Sequence, residues 1–316
     1  MTEVKIYGAL LIALLVGAYL SWTSEDTTDT AERVTLFDTS PEQIERIDYI
    51  TKTQTVAFSF REQDGERIPW FELTKDKKNR SFVGNEETKN LLEQFAPFEG
   101  LRSLGKDLSP EELAATKLDH PDRKLIVKGK NRSKTFDVGG RTNGARDHYV
   151  RAEGSPEVVL VESRTLADLE FPDGKFMQRK LREKPLKDVA KVVFKARDKT
   201  RIALQKNRLS PSDAFWTSEE QPDEANETLK NLISKLEKLT ATEYLTDTAS
   251  FEKAEPVLAV QWYDEDGESL GAVTIAREGA DKSAQYYARS EATHVPVKIS
   301  RFTAEGLEKD LPTLFE

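Results

Sequence analysis

Ile6 to Trp22, IYGALLIALLVGAYLSW, is the one long uncharged run in a chain of 316 residues. As an α-helix it rises roughly 26 Å, the short end of what crosses a hydrocarbon core. The run predicts a single transmembrane helix at 6–22, with 1–5 as a short tip. Lys5 lies on one side, whereas Glu25, Asp26, Asp29 and Glu32 precede Arg33 on the other. The positive-inside bias therefore puts the N-terminus in the cytoplasm and the bulk of the chain outside. A cleavable signal peptide with a small-residue site at Val16-Gly17-Ala18 is the competing reading, but such a cut falls inside the apolar run. Ala9, Ala13 and Gly17 recur every fourth residue, so three small side chains share a helix face where a second membrane helix can approach.

Over the whole chain, 33% of residues are charged and the net charge is −9. That balance argues against a nucleic-acid partner, which needs clustered cations that outweigh the acids. With no cysteine there is no disulfide framework, no thiolate metal site, no Cys nucleophile and no lipoprotein anchor.

Residues 23–33 read as an acidic tether. From Val34 the pattern alternates apolar and polar residues between turn signals, and the same order of elements runs twice. Ile44, Ile47 and Tyr49 match Val189, Val192 and Phe194, each 145 positions on; Trp70 matches Trp216; Leu91, Leu92 and Phe95 match Leu232, Ile233 and Leu236; Tyr149 and Arg151 match Tyr287 and Arg289. Asp64-Gly65, Gly139-Gly140 and Asp266-Gly267 sit where hairpins are expected to turn. The expected fold is α+β: residues 34–178 and 179–316 as two tandem repeated modules, each an antiparallel sheet with one covering helix. Between them Lys175 to Lys184 carries five cations against Glu183. It reads as a connector whose Phe176, Met177 and Leu181 are buried, with contact to acidic lipid or an acidic partner as the alternative.

Motifs with chemistry in them fail on their details. Gly100 to Lys106 has the spacing of a phosphate-cradling loop, but Asp107 stands where Ser or Thr should hold Mg²⁺. Asp264-Glu265-Asp266-Gly267-Glu268 starts like a calcium loop but has Ser269 at the sixth place and Ile275 at the twelfth. His120, His148 and His294 have no ligand spacing and read as structural. No catalytic, cofactor-binding or metal residue is nominated, and no cofactor. Residues two apart on a strand share a face, so Tyr149 with Arg151 and Tyr287 with Arg289 are candidate ligand or partner contacts. The alternative is a Tyr covering the sheet with its Arg paired to a neighbour.

Leu118-Asp119-His120-Pro121, Asp137-Val138-Gly139-Gly140, Tyr149-Val150-Arg151 and Glu157 to Val161 together resemble the bacterial domain-of-unknown-function family numbered four-three-four-zero. The second half keeps Tyr287 and Arg289 but has Ala254-Glu255-Pro256 in place of the Leu-Asp-x-Pro element. The resemblance implies a bacterial inner-membrane protein with a periplasmic bulk, encoded near ABC-transporter components like those of gliding-motility systems. The expected function is a non-enzymatic accessory subunit binding a protein partner, ABC-transporter subunits among the candidates. An extracytoplasmic glycan- or lipid-binding module is the alternative.

Overall fold

The computed structural model describes residues 33–315 except 143, 145, 146, 211, 281 and 282. The chain runs through β1 (Val34–Phe37), β2 (Ile44–Ile50), β3 (Gln54–Gln63), β4 (Glu66–Lys75), β5 (Lys78–Val83), α1 (Thr88–Phe95), β6 (Phe98–Gly100), β7 (Arg102–Gly105), α2 (Pro110–Thr116), β8 (Arg123–Gly129), β9 (Arg132–Arg141), β10 (Asp147–Ala152), β11 (Val158–Glu162), α3 (Ser163–Glu170) and α4 (Pro172–Lys175). It continues through β12 (Lys191–Ala196), β13 (Lys199–Lys206), β14 (Phe215–Ser218), α5 (Glu227–Glu237), β15 (Ala241–Tyr244), α6 (Ala249–Lys253), β16 (Glu255–Tyr263), β17 (Ser269–Glu278), β18 (Gln285–Ser290), β19 (Val297–Ile299) and α7 (Arg301–Leu314).

Two expectations are corrected here. The fold is mostly β rather than α+β: among the described residues nineteen strands face seven helices, and the helices run from only 4 to 14 residues. The alternating β-branched and aromatic residues favour strands over most of the chain, and the helices between them are short. The second correction concerns the membrane. No helix among the described residues is long and apolar enough to cross one, so single-pass anchoring in an inner membrane has no support. Ile6–Trp22, with Ala9, Ala13 and Gly17, lies outside the described residues.

The chain divides into two compact units. The first holds residues 33–44 and 92–167. In it β8, β9, β10, β11 and β7 lie side by side in that order, and β1 pairs with β6. Leu125, Val127, Phe136, Val138 and Val150 are buried. Phe98 sits against Phe95 at 5.1 Å and edge-on to Phe136 at 5.3 Å. The helix α2 starts at a capping box in which Ser109 accepts from the Glu112 N–H and the Glu112 carboxylate accepts from the Ser109 N–H. It ends on Lys117 in the left-handed region at φ 59°, and its last carbonyl, that of Thr116, would lie 2.3 Å from a Cβ at Gly139. Gly139 and Gly140 therefore sit within β9, where Gly139 admits the end of α2, and do not form the expected turn. Gly100 likewise would drive a Cβ to 2.1 Å from Val159 Cγ1, so this glycine serves packing.

The second unit holds residues 45–91 and 168–315. One run of strands has the order β5-β4-β3-β2, with the β3–β4 hairpin turning on Asp64 and Gly65 at φ 52° and 84°. An eight-stranded sheet has the order β14-β13-β12-β16-β17-β18-β19-β15. Leu229, Leu232, Ile233 and Leu236 of α5 and Ala304, Leu307, Leu311 and Leu314 of α7 are buried, as are Phe194, Trp216, Val260 and Trp262 of the sheet. The order β4-β3-β2 reappears as β14-β13-β12, and β8-β9-β10-β11-β7 as β16-β17-β18-β19-β15. Trp70 and Trp216 thus hold the same place in two runs of strands.

The basic connector is tied down at both ends. Gly84 bridges to Met177 and Lys180 to Thr240; Asn85 N–H donates to the Phe176 carbonyl at 2.7 Å; Tyr244 hydroxyl donates to the Gln178 carbonyl at 2.8 Å. Phe176, Met177 and Leu181 are buried, as the sequence suggested. Phe176 stacks on Phe71 with centroids 5.2 Å apart and rings 5° from parallel. Phe176→Ala should lower stability by about 3–5 kcal/mol, the usual range for emptying a buried aromatic site. A denaturant titration reads this directly, and a cost under about 1 kcal/mol would show that the connector is not part of the core.

Candidate functional site

The two repeated tyrosine–arginine pairs have different surroundings. On β10, Arg151 lies directly across from Asp137 of β9, donates to its carboxylate at 3.2 Å and to the Leu118 carbonyl at 2.9 Å. Its charge is used inside the first unit. Tyr149 lies half-buried on the same strand. On β18, Tyr287 is buried and its hydroxyl donates to Glu278 Oε2 at 2.7 Å and Gln285 Oε1 at 3.2 Å. Burial, then the hydrogen bond to Glu278, holds that phenol above its ordinary pKa. Arg289 lies across from Thr274 of β17. It is exposed and makes no side-chain hydrogen bond or ion pair with any described residue.

Arg289 stands where two cavities of the second unit meet. One, of about 480 Å³, runs toward Asp64 and Glu66 of the β3–β4 hairpin and includes Glu291. The other, of about 340 Å³, runs past Phe251, Val295 and Pro296. Thr274, Arg289 and His294 line both. His294 owes its place to the turn before it. Thr293 N–H donates to Ser290 Oγ and Ser290 N–H to Thr293 Oγ1, each at 3.2 Å, with both residues buried. The chain then passes through His294 at φ 56°, a left-handed conformation in which His is enriched among non-glycine residues. Glu291 is committed, since its Oε2 accepts from the Ala272 N–H at 2.5 Å.

This cleft offers a free guanidinium, an imidazole, Asp64 and Glu66 at one end, and Phe251, Val295 and Pro296 beside Glu252 at the other. Such a mixture suits a polypeptide segment carrying both charges and a hydrophobic residue better than a small anion, which the acids would repel. Among the described residues no group of three or more His, Asp or Glu is placed to hold a metal ion. Of the tyrosine and arginine residues nominated from sequence as contacts, Arg289 lines both cavities described. His294, read as structural, was missed because nothing in local spacing marks the left-handed turn that presents it.

His148 is in a different setting. It is fully buried on β10, its Nδ1 has no partner, and Arg141 Nε donates to its Nε2 at 3.4 Å.

The family model described as domain of unknown function (DUF4340) matches residues 98–259, just over half of the chain. No curated protein and no solved structure matches it.

Burial, with Arg123 and Arg141 nearby, pushes the His148 imidazole down from 6.5 to about 4. Between those values the unfolded chain binds a proton that the native chain refuses, so stability should fall as pH drops from about 6.5 and level off below about 4. The loss amounts to about 3 kcal/mol, since each tenfold change in proton affinity is worth roughly 1.4 kcal/mol. Comparing denaturation of wild type and His148→Gln across this pH range isolates the effect: the difference between them should change with pH, and parallel curves would contradict it.

Proposed function

The chain belongs to the DUF4340 family, and on that premise we propose that it is a non-enzymatic interaction subunit that docks a protein partner in the cleft around Arg289 and His294. Its partner is a component of an ABC-type transport complex, the kind of assembly that resemblance to the family implies. The observation that supports this reading is an exposed arginine without an internal acid, seated between a cavity lined by Asp64, Glu66 and Glu291 and one lined by Phe251, Val295 and Pro296 with Glu252. Arginine is enriched among residues that dominate interface energetics, because its planar fork can pair with a carboxylate while its stem packs on apolar groups. Phe251, Val295 and Pro296 supply those apolar groups on the chain's own side.

A photo-crosslinking residue at Thr274, introduced in the native host, should capture a transporter subunit, and the purified pair should bind with an affinity that Arg289→Glu lowers at least tenfold. Thr274 and Arg289 are exposed, so both variants should keep the wild-type melting temperature. A captured partner whose affinity is unchanged in Arg289→Glu would remove the cleft from the interface. Crosslinks that yield no transporter component would overturn the assignment of the partner.

A further inference from the structure

A larger cavity, of about 710 Å³, lies elsewhere in the second unit, between α7 and the ends of β12, β16 and β17. Its volume is in the range that encloses a small organic ligand. One wall is apolar: Val257 of β16 and Leu311, Pro312 and Phe315 of α7 and its end. The rest of the lining is mostly charged, and its charges are not equally available.

Arg277 of β17 is locked. Its Nη1 donates to Glu308 Oε1 at 2.8 Å and its Nη2 to Glu255 Oε2 at 3.5 Å. Glu308 is held again from the other side, where Tyr286 hydroxyl donates to its Oε2 at 2.5 Å. Two of the three acids lining the cavity thus share one cation, and Glu308 is the more closely held of the two. The β12–β13 turn supplies the remainder: Arg197 and Lys199 against Asp198. Arg197 is exposed, sits at φ 53° and makes no side-chain hydrogen bond or ion pair with any described residue. Lys199 Nζ donates only to a backbone carbonyl, that of Phe315, at 3.2 Å. Arg197 and Lys199 therefore have no carboxylate partner among the described residues, and Asp198 between them is the acid of that turn.

We propose that this cavity binds a single-chain amphiphile with an anionic head, its chain along Val257, Leu311 and Phe315 and its carboxylate or phosphate at Arg197 and Lys199. Apolar surface supplies affinity without choosing among chains of similar width, and the two cations choose the sign of the head. The cavity shares Pro256 with the Arg289 cleft but neither Arg289 nor His294.

Calorimetric titration of the full chain with laurate, dodecyl phosphate, dodecylammonium and dodecanol, each below its micellar concentration, tests this. Laurate or dodecyl phosphate should bind at least tenfold more tightly than dodecylammonium and dodecanol; the tighter of the two anions identifies the head the site accepts. Arg197→Glu with Lys199→Glu should lower anion affinity at least tenfold, and Val257→Trp, which fills the cavity, should abolish it, both with native circular dichroism. Arg289→Glu should leave laurate binding unchanged. Equal binding of anion and cation, or anion affinity unaltered in the doubly charge-reversed variant, would overturn the proposal.

Discussion

The second unit depends on a ten-residue connector that has no regular structure of its own. Lys175 to Lys184 has the composition of a solvated linker, yet Phe176, Met177 and Leu181 are buried. Phe176 lies parallel to Phe71, Phe71 lies parallel to Phe82 at 5.1 Å, and Phe82 contacts Tyr244 at 6.4 Å. A row of aromatic rings thus runs from β4 and β5 to β15. Backbone polarity is settled at the same time: the connector accepts from Asn85 and Tyr244 and donates through Gln178 to the Val83 carbonyl at 2.8 Å. Strand edges left unpaired at β5 and β15 would invite other chains, and a connector that pairs with each removes that hazard. Arg179 and Lys180 stay exposed, whereas the Arg182 side chain is buried. Arg182 reaches back along α5 and pairs with both oxygens of Glu237, so charge fixes the far end of a segment whose near end is fixed by packing.

Strands were legible because their signal is local. Alternation at Val56, Phe58 and Phe60, or at Val192 and Phe194, states which face is buried, and Asp64-Gly65 states where the chain reverses. Positions that serve long-range packing were not legible. Gly139 and Gly140 look like a turn in sequence because glycine pairs usually supply positive φ. In the fold they are extended, and the missing Cβ at Gly139 makes room for a carbonyl 23 residues earlier in the chain. Nothing within β9 indicates that a helix end will arrive there. The balance of helix and strand was misjudged for a related reason. An amphipathic segment such as TKNLLEQF gives a clear helical period, but the period does not reveal that the helix stops after 8 residues.

The same limit applies to the candidate sites. The three histidines look alike in sequence, each beside a strand or turn. His148 is walled in by β9 and β10 neighbours and kept neutral, with two arginines beside it, while His294 is turned outward by the Ser290–Thr293 hydrogen bonds. Both cavities of the Arg289 cleft are assembled from segments far apart in the chain, 63–66 with 272–294 in one case and 248–256 with 274–296 in the other. No window of sequence contains either.

The paired arginines show how little separates a structural residue from an exposed one. Tyr149-Val150-Arg151 and Tyr287-Ala288-Arg289 occupy strands with the same neighbours in order, β10 between β9 and β11 and β18 between β17 and β19. In the first, the residue directly across the ladder is Asp137; in the second it is Thr274. A carboxylate at that position takes the guanidinium out of water and adds it to the framework of the sheet, where a charge-assisted hydrogen bond contributes about 1.5–3 kcal/mol. A threonine there leaves the guanidinium without a counter-charge, its stem on the sheet and its head in the cleft. One cross-strand substitution therefore separates an arginine that stabilises the fold from one available to a partner.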